Sequence, residues 1–257
     1  MTAPHVPGSG TGARANAPAG ADVGRPTVLV LVRHGRTPLT EQRRFSGRGG
    51  ADPALSAAGR GDAAAVAALL ATPGALPDVG PVEHLVCSPL ARTRGTAAIM
   101  GERVGLVPEP DDAWAELGFG AWDGLTYDEI AARWPDQLRA WQGSVTVAPP
   151  GGESLADLAG RVRAARAALV AAHPGRTVAV VTHVTPVRVV VQEALDAGPS
   201  ALWRTRIAPC SVTAVRYWQD GGVEVLAVNV GPAVPAEPGD PAGPAAVPSG
   251  RPTRSPR

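Results

Sequence analysis

A run of aliphatic and β-branched residues, "TVLVLV", breaks off into Arg33-His34-Gly35-Arg36, which sets two guanidinium groups and an imidazole side by side. Two later stretches end in a related way. "VEHLVCSPLARTR" (82–94) leads through Ser88-Pro89 to Arg92 and Arg94, and "RTVAVVTHVTP" (176–186) leads to His183, Thr185 and Pro186. If the three apolar stretches are parallel strands of one open sheet, their carboxyl ends face a common crevice, where ligands of such sheets bind. Arg33, His34, Arg92 and His183 would then converge. Helices starting after the strands would add unpaired N–H groups and positive dipole ends. Such a pocket attracts an anion, and the planar fork of arginine suits a phosphate monoester. A hydroxyl residue before proline is a helix-start signal, so Ser88 and Thr185 are expected as caps, with Pro89 and Pro186 as first helical residues. Thr37-Pro38 either does the same or sets a turn. Each residue alone has a plain explanation, since a helix arginine defaults to solvent and a histidine can simply cap a strand. Agreement of three strand ends on one charge type carries the inference. His84 and His173 lack that context and are expected to pack locally, His173 at a helix terminus.

The elements that would position these groups alternate along the chain. Residues 27–33, 82–88 and 176–183 read as short buried strands. Residues 55–71 read as a helix with Leu55, Val66, Leu69 and Leu70 inward, and 89–105 as another. The clearest helix is 153–175, with Leu155, Leu158, Val162 and Leu169 in one stripe and Gly175 as its stop. A further helix is expected over 186–195, then a hairpin of 211–218 and 223–230 across Asp220-Gly221-Gly222. This order predicts an α/β protein, a three-layer α/β/α sandwich with a mostly parallel sheet and helices on both faces.

The bulk numbers bound the rest. The 257 residues are 44% apolar and only 4% aromatic, so Ala, Val and Leu must fill the core. Every basic side chain is an arginine, and the net charge of +1 gives no field for nucleic acid or an anionic membrane. Residues 1–25 and 231–257 are Ala-, Gly- and Pro-rich without apolar periodicity and are expected to be disordered tails, His5 among them, around one domain at 26–230. Cys87 and Cys210 are expected as buried, reduced thiols. With no stretch of membrane-spanning length and no secretory leader pattern, a cytoplasmic protein is expected. No His/Cys/Asp cluster stands at metal-ligand spacing, so neither metal nor cofactor is expected. The expected partner is a small phosphorylated metabolite. Oligomeric state stays open, with a dimer as one outcome.

At these residues the sequence resembles the histidine phosphatase superfamily, the phosphoglycerate-mutase-like proteins. "LVRHGRT" matches the family's opening signature, and "RFSGRGGADPALSAAGR" (44–60) its following F-x-G segment, which places Gly47 beside the substrate. "CSPLARTRGTA" supplies a phosphate-binding arginine at Arg92, and "AELGFGAWDG" (115–124) puts the proton donor of the phosphatase branch on Glu116. "PPGGESLADL" and "VVTHV" match the elements that hold Glu153 and His183. The family usually has Gly after the second histidine, where Val184 stands, and many mutases have Asn where Thr40 stands. The variants "THVTPVR" and "RRFSGRGGADPAL" are most similar to an actinobacterial acid phosphatase domain often fused behind ribonuclease H, itself similar to α-ribazole phosphatases; residues 1–25 would resemble the joining linker.

The resemblance implies catalysis by His34, Glu116 and His183, with His34 as nucleophile, and substrate contacts from Arg33, Arg92, Arg36, Thr40, Gly47, Glu153 and Val184. Arg36 either touches substrate at the rim or is only solvated. Glu153 either reaches the leaving group or merely opens a helix with Ser154. Asp111, Asp112 and Asp123 are rival acids to Glu116. The segment from Gly118 through Trp141 is expected to cover the crevice, its tryptophans serving selectivity or plain packing. A metal-independent phosphomonoesterase is the leading activity, against a phosphoglycerate mutase or a non-catalytic phosphate-binding protein.

Overall fold

The computed structural model describes residues 24–231. His5 and the two tail segments proper, 1–23 and 232–257, lie outside the described residues. Strand β1 (Thr27–Arg33) is followed by a short helix α1 (Pro38–Glu41), helix α2 (Ala57–Ala71), strand β2 (His84–Cys87) and helix α3 (Ala91–Val104). A two-residue strand β3 (Glu109–Pro110) leads through two 3-10 turns to α4 (Tyr127–Arg133) and α5 (Pro135–Gly143). Helix α6 (Leu155–Ala172), strand β4 (Thr177–Thr182), helix α7 (Val184–Ala194) and the hairpin β5 (Val212–Tyr217) and β6 (Val223–Val230) complete it.

The strands form one mixed sheet in the order β3-β2-β4-β1-β5-β6. β1, β2, β3 and β4 pair in parallel, whereas β5 and β6 add an antiparallel edge. Period-two alternation divides the core. Val28, Val30 and Val32 point to the face covered by α2 and α3, with Val66, Ala97 and Met100. Leu29 and Leu31 point to the face covered by α6 and α7, with Leu158, Val162, Val187 and Val190. Trp122, Ile130, Leu138 and Trp141, in the segment expected to cover the crevice, join that second cluster together with Trp114 before it, so those tryptophans pack in the core.

Register aligns the strand ends that matter. Arg33 faces Thr182, and Cys87 faces Val181. β4 lies between β1 and β2, so His183 exits between His34 and Ser88.

Two helix starts differ from the hydroxyl-proline expectation. α3 begins at Ala91, not Pro89, and its N-cap Leu90 has no side-chain cap; the carboxylate of Asp52 accepts from Ala91 N at 2.9 Å instead. α7 begins at Val184 with His183 as N-cap, not at Pro186 behind Thr185. Pro186 is tolerated there because the first-turn N–H groups of a helix have no intrahelical partner. Thr37 does cap α1 through its side chain, with Pro38 next. The short β3 had no sequence signal, since two residues show no period.

Candidate active site

His34 leaves β1 with its backbone N–H still donating to Thr182 O, 2.9 Å away, and its ring is buried. Ring Nδ1 lies 2.8 Å from Gly35 O. A carbonyl oxygen only accepts, so Nδ1 carries the proton and Nε2 keeps its lone pair. Burial first, then the Arg92 and Arg33 guanidiniums, hold His34 well below the ordinary value of 6.5, against the opposing bond to Gly35. The ring is therefore neutral in mildly acidic solution.

His183 is fully buried, its ring centroid 5.1 Å from that of His34. Its Nε2 lies 2.8 Å from Ser88 Oγ. Burial, followed by Arg92, pushes its pKa well down as well. Arg33 donates from Nη1 to Ile207 O at 2.7 Å, and Arg92 from Nη2 to Ser46 O at 2.9 Å. Arg92 is 1% exposed, whereas Arg94 two residues on is exposed, which separates two arginines that looked alike in sequence. Arg33 Nε, Arg92 Nε and His183 Nδ1 are buried without a protein partner. Buried polar groups seldom stay unpaired, so such a set calls for an acceptor such as an oxyanion.

Arg33, His34, Glu116 and Val184 line one cavity with Thr40 and Thr185, and Arg44, Phe45, Ser46 and Phe119 complete its wall. Arg92 and His183 are not part of that wall but adjoin it, Arg92 through its bond to Ser46 O and His183 through its ring contact with His34. The Glu116 carboxylate accepts from Leu117 N at 2.8 Å and, at 3.4 Å, from Thr185 N in the first turn of α7. Of the four carboxylates considered in the sequence, it alone lines this cavity. Asp111 caps a 3-10 turn, Asp112 is exposed, and Asp123 accepts from Gly47 N at 2.7 Å.

Three residues named from the resemblance sit elsewhere. Arg36 forms a bidentate pair with Asp62 of α2, at 2.7 and 2.8 Å, and does not line the cavity. Glu153 is held bidentately by Arg161 and lines a separate groove with Asp123 and Gly152. Gly47 is a packing glycine, since a Cβ there would lie 2.1 Å from Leu117 O. Gly35 has the same reason, a Cβ falling 2.4 Å from Gly59 O. No local signal points to Ser88 on His183, Asp52 on Arg92 or Thr96, which accepts from Gly35 N and donates to Arg92 O. The local rule for a Ser-Pro pair makes Ser88 a helix cap because it sees no partner far along the chain.

The profile of the histidine phosphatase superfamily (branch 1) matches residues 29–230, most of the chain. The chain belongs to this superfamily. Among similar proteins, "Bifunctional protein Rv2228c" of Mycobacterium tuberculosis is 41% identical over 206 residues, covering 80% of this chain and 54% of that protein. A glucosyl-3-phosphoglycerate phosphatase of the same organism is 40% identical over 146 residues, covering 57% of this chain and 61% of that protein. The chain thus spans about half the length of the first of these relatives. Among solved superfamily structures, that of a mycobacterial glucosyl-3-phosphoglycerate phosphatase complexed with VO3 superposes with a TM-score of 0.69 at 31% identity, covering 79% of this chain and 98% of that one. One described as mycobacterial hydrolase 1 gives 0.72 at 30% identity, covering 81% and 100%.

Proposed function

We propose that this chain is a metal-independent phosphomonoesterase that hydrolyses a small phosphorylated metabolite through a phosphohistidine on His34. The observation that supports this most is the fixed tautomer of a buried, neutral imidazole: Gly35 O holds the Nδ1 proton and leaves the Nε2 lone pair for attack. Nε2 attacks phosphorus in line, the N–P bond forms, and the bond to the substrate oxygen breaks. Arg33, Arg92 and His183 hold the nonbridging oxygens with their unpartnered Nε and Nδ1 atoms and stabilise the charge that shifts onto them. The Ser88 hydroxyl, by donating to Nε2 of His183, leaves Nδ1 of that ring as a donor. Glu116 gives its proton to the leaving alkoxide, then takes one from the water that cleaves the N–P bond. Thr40 and Val184, in the wall beside Glu116, contact the leaving group.

Several phosphomonoesters fit this reading. Relatives carry the names glucosyl-3-phosphoglycerate phosphatase and phosphoserine phosphatase, and the sequence likeness to an acid phosphatase domain nominates α-ribazole 5′-phosphate. The free, buried thiols of Cys87 and Cys210 suit a reducing, cytoplasmic compartment. The competing reading, a phosphoglycerate mutase, draws on two relatives of that name at 37% and 39% identity over 139 residues. Phosphorylated metabolites offered in EDTA, with and without 2,3-bisphosphoglycerate, separate the two. Release of inorganic phosphate without metal or bisphosphate is expected; isomerisation that needs the bisphosphate would overturn the hydrolase. Glu116→Gln is expected to cost about 10²- to 10⁴-fold on alkyl phosphates and much less on p-nitrophenyl phosphate, whose leaving group needs no proton. Equal losses on both would move the acid elsewhere.

A further inference from the structure

We infer that Arg161 and Glu153 form a clamp that positions the Glu116 carboxyl for proton transfer, an inference that rests on the reading of Glu116 as the acid. The segment 113–118 has no regular secondary structure beyond one 3-10 turn, yet Trp114 to Gly118 are buried. Its carbonyl groups therefore need donors from outside. Arg161, on α6, supplies them. Nη1 donates to Ala113 O at 2.8 Å and Ala115 O at 2.7 Å, and Nη2 donates to Glu116 O at 3.1 Å. The remaining two donors go to Glu153: Nε to Oε1 at 2.8 Å and Nη2 to Oε2 at 2.9 Å. A guanidinium has five N–H groups in a fixed fork, and all are used here. Trp114 O accepts from Thr182 Oγ1 at 2.6 Å, one residue before His183, and Leu117 O from Arg48 N at 3.3 Å.

Glu153 closes the arrangement from the other end. Its backbone N–H donates to Gly118 O at 2.8 Å, and its Oε2 accepts from Gly118 N at 3.4 Å. The backbone on both sides of Glu116 is thus tied to one ion pair, whose members are 17% and 18% exposed. Neither side chain lines the cavity with His34, so both are positioning residues that act through the acid. Lysine offers three donors on a flexible stem and cannot serve five acceptors in one plane.

The test is kcat/KM across phosphomonoesters of rising leaving-group pKa, from p-nitrophenyl phosphate to glycerol phosphate. It compares wild type, Glu153→Gln, Arg161→Lys, Glu116→Gln and the Glu153→Gln/Glu116→Gln double variant, with circular dichroism to confirm folding. Misplacing a catalytic group by about 1 Å costs about 10²-fold. Glu153→Gln and Arg161→Lys should therefore lose about that factor in kcat on alkyl phosphates, lose only a few-fold on the activated ester, and keep KM. Once Glu116 is glutamine, Glu153→Gln should add nothing. Equal losses on all substrates, a full further loss in the Glu116→Gln background, or failure of both single variants to fold would reduce the pair to a structural bridge and overturn the inference. A Glu116→Gln enzyme indifferent to leaving group, by contrast, would remove the acid assignment itself, and the clamp with it.

Discussion

At the scale of the residue, the site works by controlling which nitrogen carries a proton. His34 would be an ordinary imidazole near 6.5 in water; burial and two neighbouring guanidiniums favour its neutral form, and the Gly35 carbonyl selects the tautomer. His183 is lowered by the same causes, with Ser88 in the orienting role. With His34 as the proposed nucleophile, protonation would disarm it, and its pKa lies well below 6.5, so hydrolysis should persist into acid. The acid limb of kcat/KM reports the free enzyme and is expected well below pH 6.5. A limb at or above 6.5 would mean that the titrating group is solvated and is not His34. This part of the site was legible in sequence because strand ends that carry His34, Arg92 and His183 obey local rules. Arg36 was not, since its partner Asp62 lies on α2, well along the chain, and nothing in "RHGR" separates one guanidinium's direction from the other's.

At the scale of the element, glycines decide how closely the chain can approach the nucleophile. The loop after β1 runs against the start of α2: a Cβ on Gly35 would lie 2.4 Å from Gly59 O, and one on Gly59 would lie 2.0 Å from Arg36 O. Both contacts are backbone to backbone, so no side chain can turn aside. Gly35→Ala is expected to displace His34 relative to Arg92, because Gly35 N also bonds Thr96 Oγ1 and through it Arg92 O. Such a shift should cost about 10²-fold in kcat or more, with a lowered melting temperature. An alanine variant with wild-type kcat would show that the loop gives way without moving the histidine. The strands and long helices could be read from local pattern alone, since β1 is a short apolar run buried at every position and buried positions repeat every three to four residues in α6. Helix starts could not be fixed so well. Proline fits any first-turn position, and the carboxylate that caps α3 belongs to Asp52, far back in the chain.

At the scale of the whole molecule, the site draws on β1, β2, β4 and the starts of α3 and α7, together with a loop held by α6, so it exists only when the domain is folded. Two neutral imidazoles buried at its centre tie stability to pH. Above 6.5 they are neutral in the folded and the unfolded chain alike. As pH falls below 6.5 the unfolded chain takes up protons first, and stability is lost progressively toward the lower folded values. The melting temperature should therefore fall between pH 7 and pH 5, before carboxylates such as Glu83 begin to titrate, and a constant value would contradict burial of the pair. Inorganic phosphate, by binding only the native site, should raise it, with about 2.7 kcal/mol of stabilisation at 100 times its Kd. The central claim, that His34 takes the phosphoryl group, is tested most directly by rapid acid-free quenching of the enzyme during turnover of a ³²P-labelled monoester, followed by peptide mapping. An acid-labile, base-stable label is expected on the peptide that contains His34 and should be absent from His34→Ala. A label on another residue, or turnover in His34→Ala as fast as in the wild type, would contradict that claim.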